Sequence, residues 1–147
     1  MTRDMTLEVV LSDPPDVVWR ALTEPEALAA WLMPVEGFAP KVGCRFRLKA
    51  KPMPGWDGVV NCEVLDVDES RLLSYTWQGT QMKNSTTVVW TLDAADGGTR
   101  LRLEHRGFTG IGGTVLNLMH RGGWRKFLTR QLPQYLGSRS EHTEKPE

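Results

Sequence analysis

His105, in the run Leu103-Glu104-His105-Arg106, is the side chain best suited to acid–base work, because an imidazole titrates near neutrality. It falls in the inner phase of an alternating strand. Its ring therefore faces the interior, where the backbone, Tyr75 or a ligand could satisfy it. As a catalytic acid or base it would need Tyr75 as a hydrogen-bond donor beside it. His120 precedes two glycines and is expected at a cavity mouth, whereas His142 lies in a polar tail. The three histidines are not spaced as a metal-binding cluster. The two cysteines, Cys44 and Cys62, have no CxxC partner and no histidine at ligand spacing, so they read as reduced, partly buried thiols rather than a zinc site or a disulfide. If the strands around 45–50 and 58–67 form a hairpin, Phe46 faces Cys62 and Cys44 is about two residues away along the ladder. Asp66, Asp68 and Glu69 gather in a turn and read as a solvated cluster. No nucleophile elbow, Walker loop, dinucleotide turn or HExxH motif occurs. No catalytic residue, cofactor or metal is assigned.

Aromatic residues carry the stronger signal. There are six tryptophans in 147 residues, and Trp31, Trp77, Trp90 and Trp124 all fall at inward positions. Such rings either line an apolar pocket, with each indole N–H at its edge, or fill the interior. Both readings stand at this point. Trp56 is expected at a loop surface and Trp19 in helix packing. Met33, Phe46, Leu48, Cys62, Tyr75, Leu103, His105, Met119, His120, Gly123 and Phe127 complete the expected cavity wall, and methionine adapts to several ligand shapes.

Alternation and capping signals define the elements that must hold these side chains. Leu7, Val9 and Leu11 alternate as a first strand. Ser12 or Asp13 is expected to cap a helix with Pro14 and Pro15 in its first turn, and Val17, Val18, Ala21 and Leu22 form its apolar stripe. Thr23 is expected to cap a second short helix carrying Ala27, Leu28 and Trp31, which Pro34 ends. From Gly43 the period becomes two. Phe46, Leu48 and Ala50 alternate with Arg45, Arg47 and Lys49. Val60, Cys62 and Val64, then Leu73, Tyr75 and Trp77, then Val88, Trp90 and Leu92 follow. The Asp96-Gly97-Gly98 turn leads to Leu101, Leu103 and His105, with Arg100, Arg102, Glu104 and Arg106 facing water. Glycines at 107, 110, 112 and 113 punctuate the passage to a final helix, whose pattern runs from Val115 to Leu136. Gly122 and Gly123 cost that helix about 1 kcal/mol each relative to alanine, which suggests a kink or a close approach to the sheet. Pro133 is expected to bend or end its last turn.

One strand, two short helices, a run of hairpin-linked strands and a long helix make an α+β domain. A curved antiparallel sheet of six to seven strands encloses a cavity with the C-terminal helix. The domain is expected over residues 1–137, and 138–147, which lack apolar side chains, as a disordered tail. Apolar residues make up 40%, and 18 basic side chains balance 18 acidic ones. A formal charge of zero offers no electrostatic footprint for nucleic acid or an anionic membrane. With no long apolar segment, a cytoplasmic protein is expected, monomeric or a homodimer.

The segments VVWRALTEPEALAAWLMP, KVGCRFRL, WDGVVNCEVLDVDESRLLSYTW, GGTRLRLEHRGF and HRGGWRKFLTRQL, taken in order, resemble the activator-of-heat-shock-ATPase-like branch of the START-like (SRPBCC) superfamily. The resemblance spans about residues 6 to 136 and implies a helix-grip fold with a cavity between sheet and long helix. Cys44 stands where the family often has a second glycine, which places a thiol near the expected rim. Three functions follow. The first is binding of a small hydrophobic molecule, aromatic or lipid-like. The second is a heat-shock co-chaperone or other protein-partner role, in which the outer arginines Arg45, Arg47, Arg100 and Arg102 meet an acidic surface. The third is a polyketide cyclase/aromatase-like enzyme using His105 and Tyr75.

Overall fold

The computed structural model describes residues 2–144 apart from Gly55 and Gln81; side chains are described for these except 2–3, 109–117 and 139–144. Seven strands form one antiparallel sheet: β1 (Thr2–Leu11), β2 (Val35–Glu36), β3 (Arg45–Lys49), β4 (Val59–Asp68), β5 (Leu72–Gly79), β6 (Thr86–Ala95) and β7 (Gly98–Thr109). Their order across the sheet is β1-β7-β6-β5-β4-β3-β2. Hairpins join β3 through β7 in sequence, and β7 then carries β1 on its free side. Phe46 pairs with Cys62, the register expected from alternation. At Asp96-Gly97 both residues have positive φ, 47° and 82°, the two-residue reversal that matches strand twist. The two-residue β2 is too short to give a period and was not legible.

Two irregularities bend the sheet. The β1–β7 register shifts between Arg3 and Met5, and the β4–β5 register between Val64 and Asp66, where Leu65 turns to solvent. Each extra residue increases local twist and curls the sheet around its inner face. Gly58 permits the close approach that starts β4. With φ +86° it lies 2.3 Å, measured from a hypothetical Cβ, from the Ala50 carbonyl oxygen.

Between β1 and β2, α1 (Pro15–Thr23) and α2 (Pro25–Trp31) close one end of the sheet. Neither is capped by a side chain: the N-cap of α1 is Pro14, not Ser12 or Asp13, and that of α2 is Glu24, not Thr23. Proline at the first turn already supplies the fixed φ, and the Thr23 hydroxyl instead donates to the Trp19 carbonyl. The final helical run comprises α3 (Gly110–Lys126), a π-helical turn at Phe127–Gln131 and α4 (Leu132–Glu144). The π-turn ends two residues before Pro133 and contains Thr129, the i−4 residue whose carbonyl the proline ring cannot sit against in a normal turn, so the widened turn accommodates the proline without ending the helix. Residues 138–144, expected as a disordered tail, extend α4. Adding residues to an anchored helix needs no new nucleus, and Leu132 and Leu136 anchor it as buried residues. Residues 145–147 lie outside the described part.

Two fully buried rings, Trp31 and Trp90, meet edge to face at 6.1 Å, and with Leu73, Leu101, Leu103, Leu128 and Val18 they form a solid core at the α1–α2 end. Among the described residues no helix is long and apolar enough to cross a membrane.

Candidate functional site

The other end of the sheet is not filled. A cavity of about 440 Å³ lies between α3, the strands β4 and β5, and the loops flanking β2 and β3. From α3 come Met119, His120, Gly123 and Trp124, with Phe127 from the π-turn. The sheet and its connections supply Val60, Trp77, Gly79, Met82, Ala50, Met53 and Trp56, and the segment after α2 supplies Leu32, Met33 and Pro34. Met53 and Met119, more than half exposed, stand at the mouth.

Of the residues expected to line a cavity, Met33, Trp77, Met119, His120, Gly123, Trp124 and Phe127 do so. Trp31, Phe46, Leu48, Cys62, Tyr75, Trp90, Leu103 and His105 are instead buried in the core and do not face the open volume. Alternation locates the inner face of a strand, but it does not say which part of that face other side chains already cover. Tryptophan therefore plays both roles considered for it: Trp31 and Trp90 fill, Trp77 and Trp124 line. Trp56, expected at the surface, lines the cavity while its indole donates to the Val59 carbonyl. Not named as cavity wall from the sequence were Leu32, Pro34, Ala50, Met53, Val60, Gly79 and Met82. Val60 and Ala50 were legible from their inner phase, but Leu32 and Pro34 follow the end of α2, Gly79 and Met82 lie at and beyond the end of β5, and Met53 falls in the turn-rich stretch from Lys51 to Gly58, where no period exists to read. Cys44, placed near the rim by its position after Gly43, does not line the cavity. Its thiol donates to the Gly37 carbonyl and accepts from the Ala39 N–H.

Behind the cavity wall runs a buried chain of hydrogen bonds. The Trp124 indole donates to His105 Nδ1 at 2.9 Å, so Nδ1 is the acceptor nitrogen and Nε2 carries the proton in the neutral ring. Nε2 meets Thr86 Oγ1 at 2.6 Å, and that hydroxyl donates to the Trp77 carbonyl. Tyr75, the partner expected for His105, instead accepts from the Trp90 indole at 2.9 Å. Burial, with the nearby His120 as a smaller cause, pushes the His105 pKa down to about 2. Burial also pushes the Tyr75 hydroxyl and the Cys62 thiol well above their ordinary values. The acid–base roles considered for His105 and Tyr75 therefore find no path to the cavity. Both groups are sealed, and His105 has both nitrogens engaged.

His120 is the one ionisable side chain on the described cavity wall. Its Nε2 accepts from the Trp77 indole at 3.1 Å, and its ring centroid lies 5.2 Å from that of His105.

On the outer face, the arginines considered for an acidic partner each have a carboxylate alongside: Arg45 with Glu63, Arg47 with Glu36, Arg100 with Glu8, and Arg102 with Glu104. Lys49 shares Glu36. Asp66 accepts from Ser74, and Asp68 lies near Arg71. Among the described residues no group of three or more His, Cys, Asp or Glu side chains is placed to hold a metal.

A curved sheet of seven strands closed by two short helices and gripping a long C-terminal helix defines a helix-grip domain. Residues 12–137 match the Activator of Hsp90 ATPase homolog 1-like protein family, and the chain belongs to it. Protein MLL2253 from Mesorhizobium loti is 35% identical with a TM-score of 0.82, over 92% of this chain and 98% of that one. Protein BH1534 from Bacillus halodurans is 26% identical with a TM-score of 0.75, over 92% and 99%. The Aha1 dimer from Colwellia psychrerythraea shares the fold at 16% identity and a TM-score of 0.70, over 86% and 90%. No curated protein matches the chain.

Proposed function

We propose that this domain, residues 1–137, binds one small, largely apolar molecule in the cavity beneath α3. The observation that carries the reading is the composition of the described wall: four methionines, three tryptophans and a phenylalanine around about 440 Å³, with His120 as the single ionisable group among the described lining residues. Pockets of several hundred Å³ with apolar walls and few polar groups suit small ligands, and flexible thioethers tolerate variation in their shape. Rigid indoles on the same wall suit flat or aromatic molecules. Trp56, Trp77 and Trp124 also report on occupancy. Titration with the uncharged probe N-phenyl-1-naphthylamine is expected to give saturable, one-to-one quenching of tryptophan emission. Replacing Gly123 by leucine, which fills the open space beside α3, is expected to abolish it. Absence of saturable quenching in the parent protein overturns the reading.

Membership of a family named for activation of a heat-shock ATPase favours a second reading, in which the chain acts on a chaperone. Its measurement is the ATP turnover of a bacterial ninety-kilodalton chaperone with and without this protein. An unchanged rate removes the reading.

A further inference from the structure

The position of His120 bears on what the cavity would hold, given the ligand-binding reading above. Its Nε2 accepts the Trp77 N–H at 3.1 Å, so in the neutral state these two polar groups of the wall satisfy each other and the cavity presents an apolar surface. A proton on Nε2 changes the pair. An imidazolium has two donors and no acceptor, so two N–H groups then face one another and neither can accept. The arrangement is satisfied by inserting an acceptor that both can reach. A single oxyanion does this, taking one hydrogen bond from Trp77 Nε1 and one charge-assisted bond from His120 Nε2.

We infer that the cavity selects an apolar molecule bearing one acidic group, a carboxylate, held between Trp77 and His120 with uptake of one proton from solvent on binding. Among the described residues no competing carboxylate lines the cavity. Among the described residues His120 is also the only group on the wall that can carry positive charge; Lys51 and Lys83, on the loops that supply part of that wall, are exposed and do not line the cavity. On β7, His105 faces it and is sealed neutral, while Arg100, Arg102, Glu104 and Arg106 lie in the opposite, outward phase of that strand. On β1, Asp4 is exposed and accepts from the Gly107 N–H, and Glu8 is exposed beside Arg100. The described strand β5 carries no charged residue, and on α3 itself Arg121 and Arg125 do not line the cavity. Burying the carboxylate in this apolar site without the imidazolium would leave an uncompensated charge, so the proton and the ligand bind together.

The test compares 1-naphthylacetate with 1-naphthylacetamide, a neutral molecule of nearly the same shape, by calorimetry at pH 6 and pH 8 in buffers of different ionisation enthalpy. The acid is expected to bind at pH 6 about tenfold or more tighter than at pH 8, with close to one proton taken up at pH 8, while the amide is insensitive to pH. His120→Gln, which offers Trp77 an acceptor but cannot be protonated, is expected to remove the pH slope of the acid and its advantage over the amide. Acid and amide binding equally at both pH values, or a slope that survives His120→Gln, overturns the carboxylate assignment while leaving the cavity reading standing. Failure of both molecules to bind overturns the two together.

Discussion

At the scale of single residues, His105 shows how burial decides what a titratable group can do. Its inner phase was legible from the alternation of Leu101, Leu103 and His105, and its neutrality follows from that burial. Its partners were not legible. Thr86 and Trp124 reach it from a neighbouring strand and a distant helix, and only the register and the seating of α3 bring them within 2.6 and 2.9 Å. The folded protein holds this histidine at about 2, whereas the unfolded chain titrates near 6.5. Below 6.5 the unfolded state binds a proton that the folded state does not, so the contribution is fully present above that value and is lost as pH falls toward 2. The slope approaches about 1.4 kcal/mol per pH unit. Urea unfolding at pH 7 and pH 4.5 is expected to show a loss of roughly 2 to 3 kcal/mol from this group, on top of carboxylate titration. Because carboxylates titrate in both proteins, the comparison that isolates His105 is with His105→Gln. If the variant loses as much stability between the two pH values as the parent, the imidazole is not the cause.

At the scale of elements, the least expected feature is the pair Gly122-Gly123 within α3. The sequence suggested a kink or a close approach to the sheet, yet a Cβ at either position meets nothing within 4 Å. The irregularity of the run sits instead at Phe127–Gln131, ahead of Pro133. The two glycines also differ: Gly122 is exposed, whereas Gly123 lines the cavity. Helical period alone could have distinguished their faces, since Gly123 precedes buried Trp124 and stands four residues before Phe127. It could not reveal that the space beside Gly123 is empty, because that depends on what β5 and the β3–β4 loop leave uncovered. Alanine at an exposed helical glycine stabilises by about 0.5 to 1 kcal/mol, chiefly by restricting the unfolded chain. Gly122→Ala is accordingly expected to raise Tm by about 2 to 4 °C, read by circular dichroism. An unchanged or lower Tm would mean that the glycine serves a conformation α3 must leave, not the helix described above.

At the scale of the whole molecule, charge and apolar surface are separated onto opposite faces of one sheet. The alternation in β3 and β7 made the outer cations legible. The carboxylates that accompany them come largely from other strands and depended on register: Glu63 faces Arg45, and Glu8 faces Arg102 while its carboxylate approaches Arg100. These pairs are mostly exposed, so each contributes between nothing and about 1 kcal/mol and weakens with salt. An apolar ligand in the cavity acts differently, since burial of its surface does not depend on ionic strength in that way. At a free concentration about one hundred times its Kd, a ligand that binds only the folded state stabilises it by about 2.7 kcal/mol. For a domain of this size that corresponds to a rise in Tm of about 5 to 10 °C. With N-phenyl-1-naphthylamine the rise is expected to persist in 1 M sodium chloride, read against the ligand-free protein in the same salt. A shift that disappears with salt would place the probe on the charged outer face and not under α3. A shift that persists but is absent in Gly123→Leu would locate it in the cavity, because that substitution alters the open volume and leaves the outer ion pairs in place.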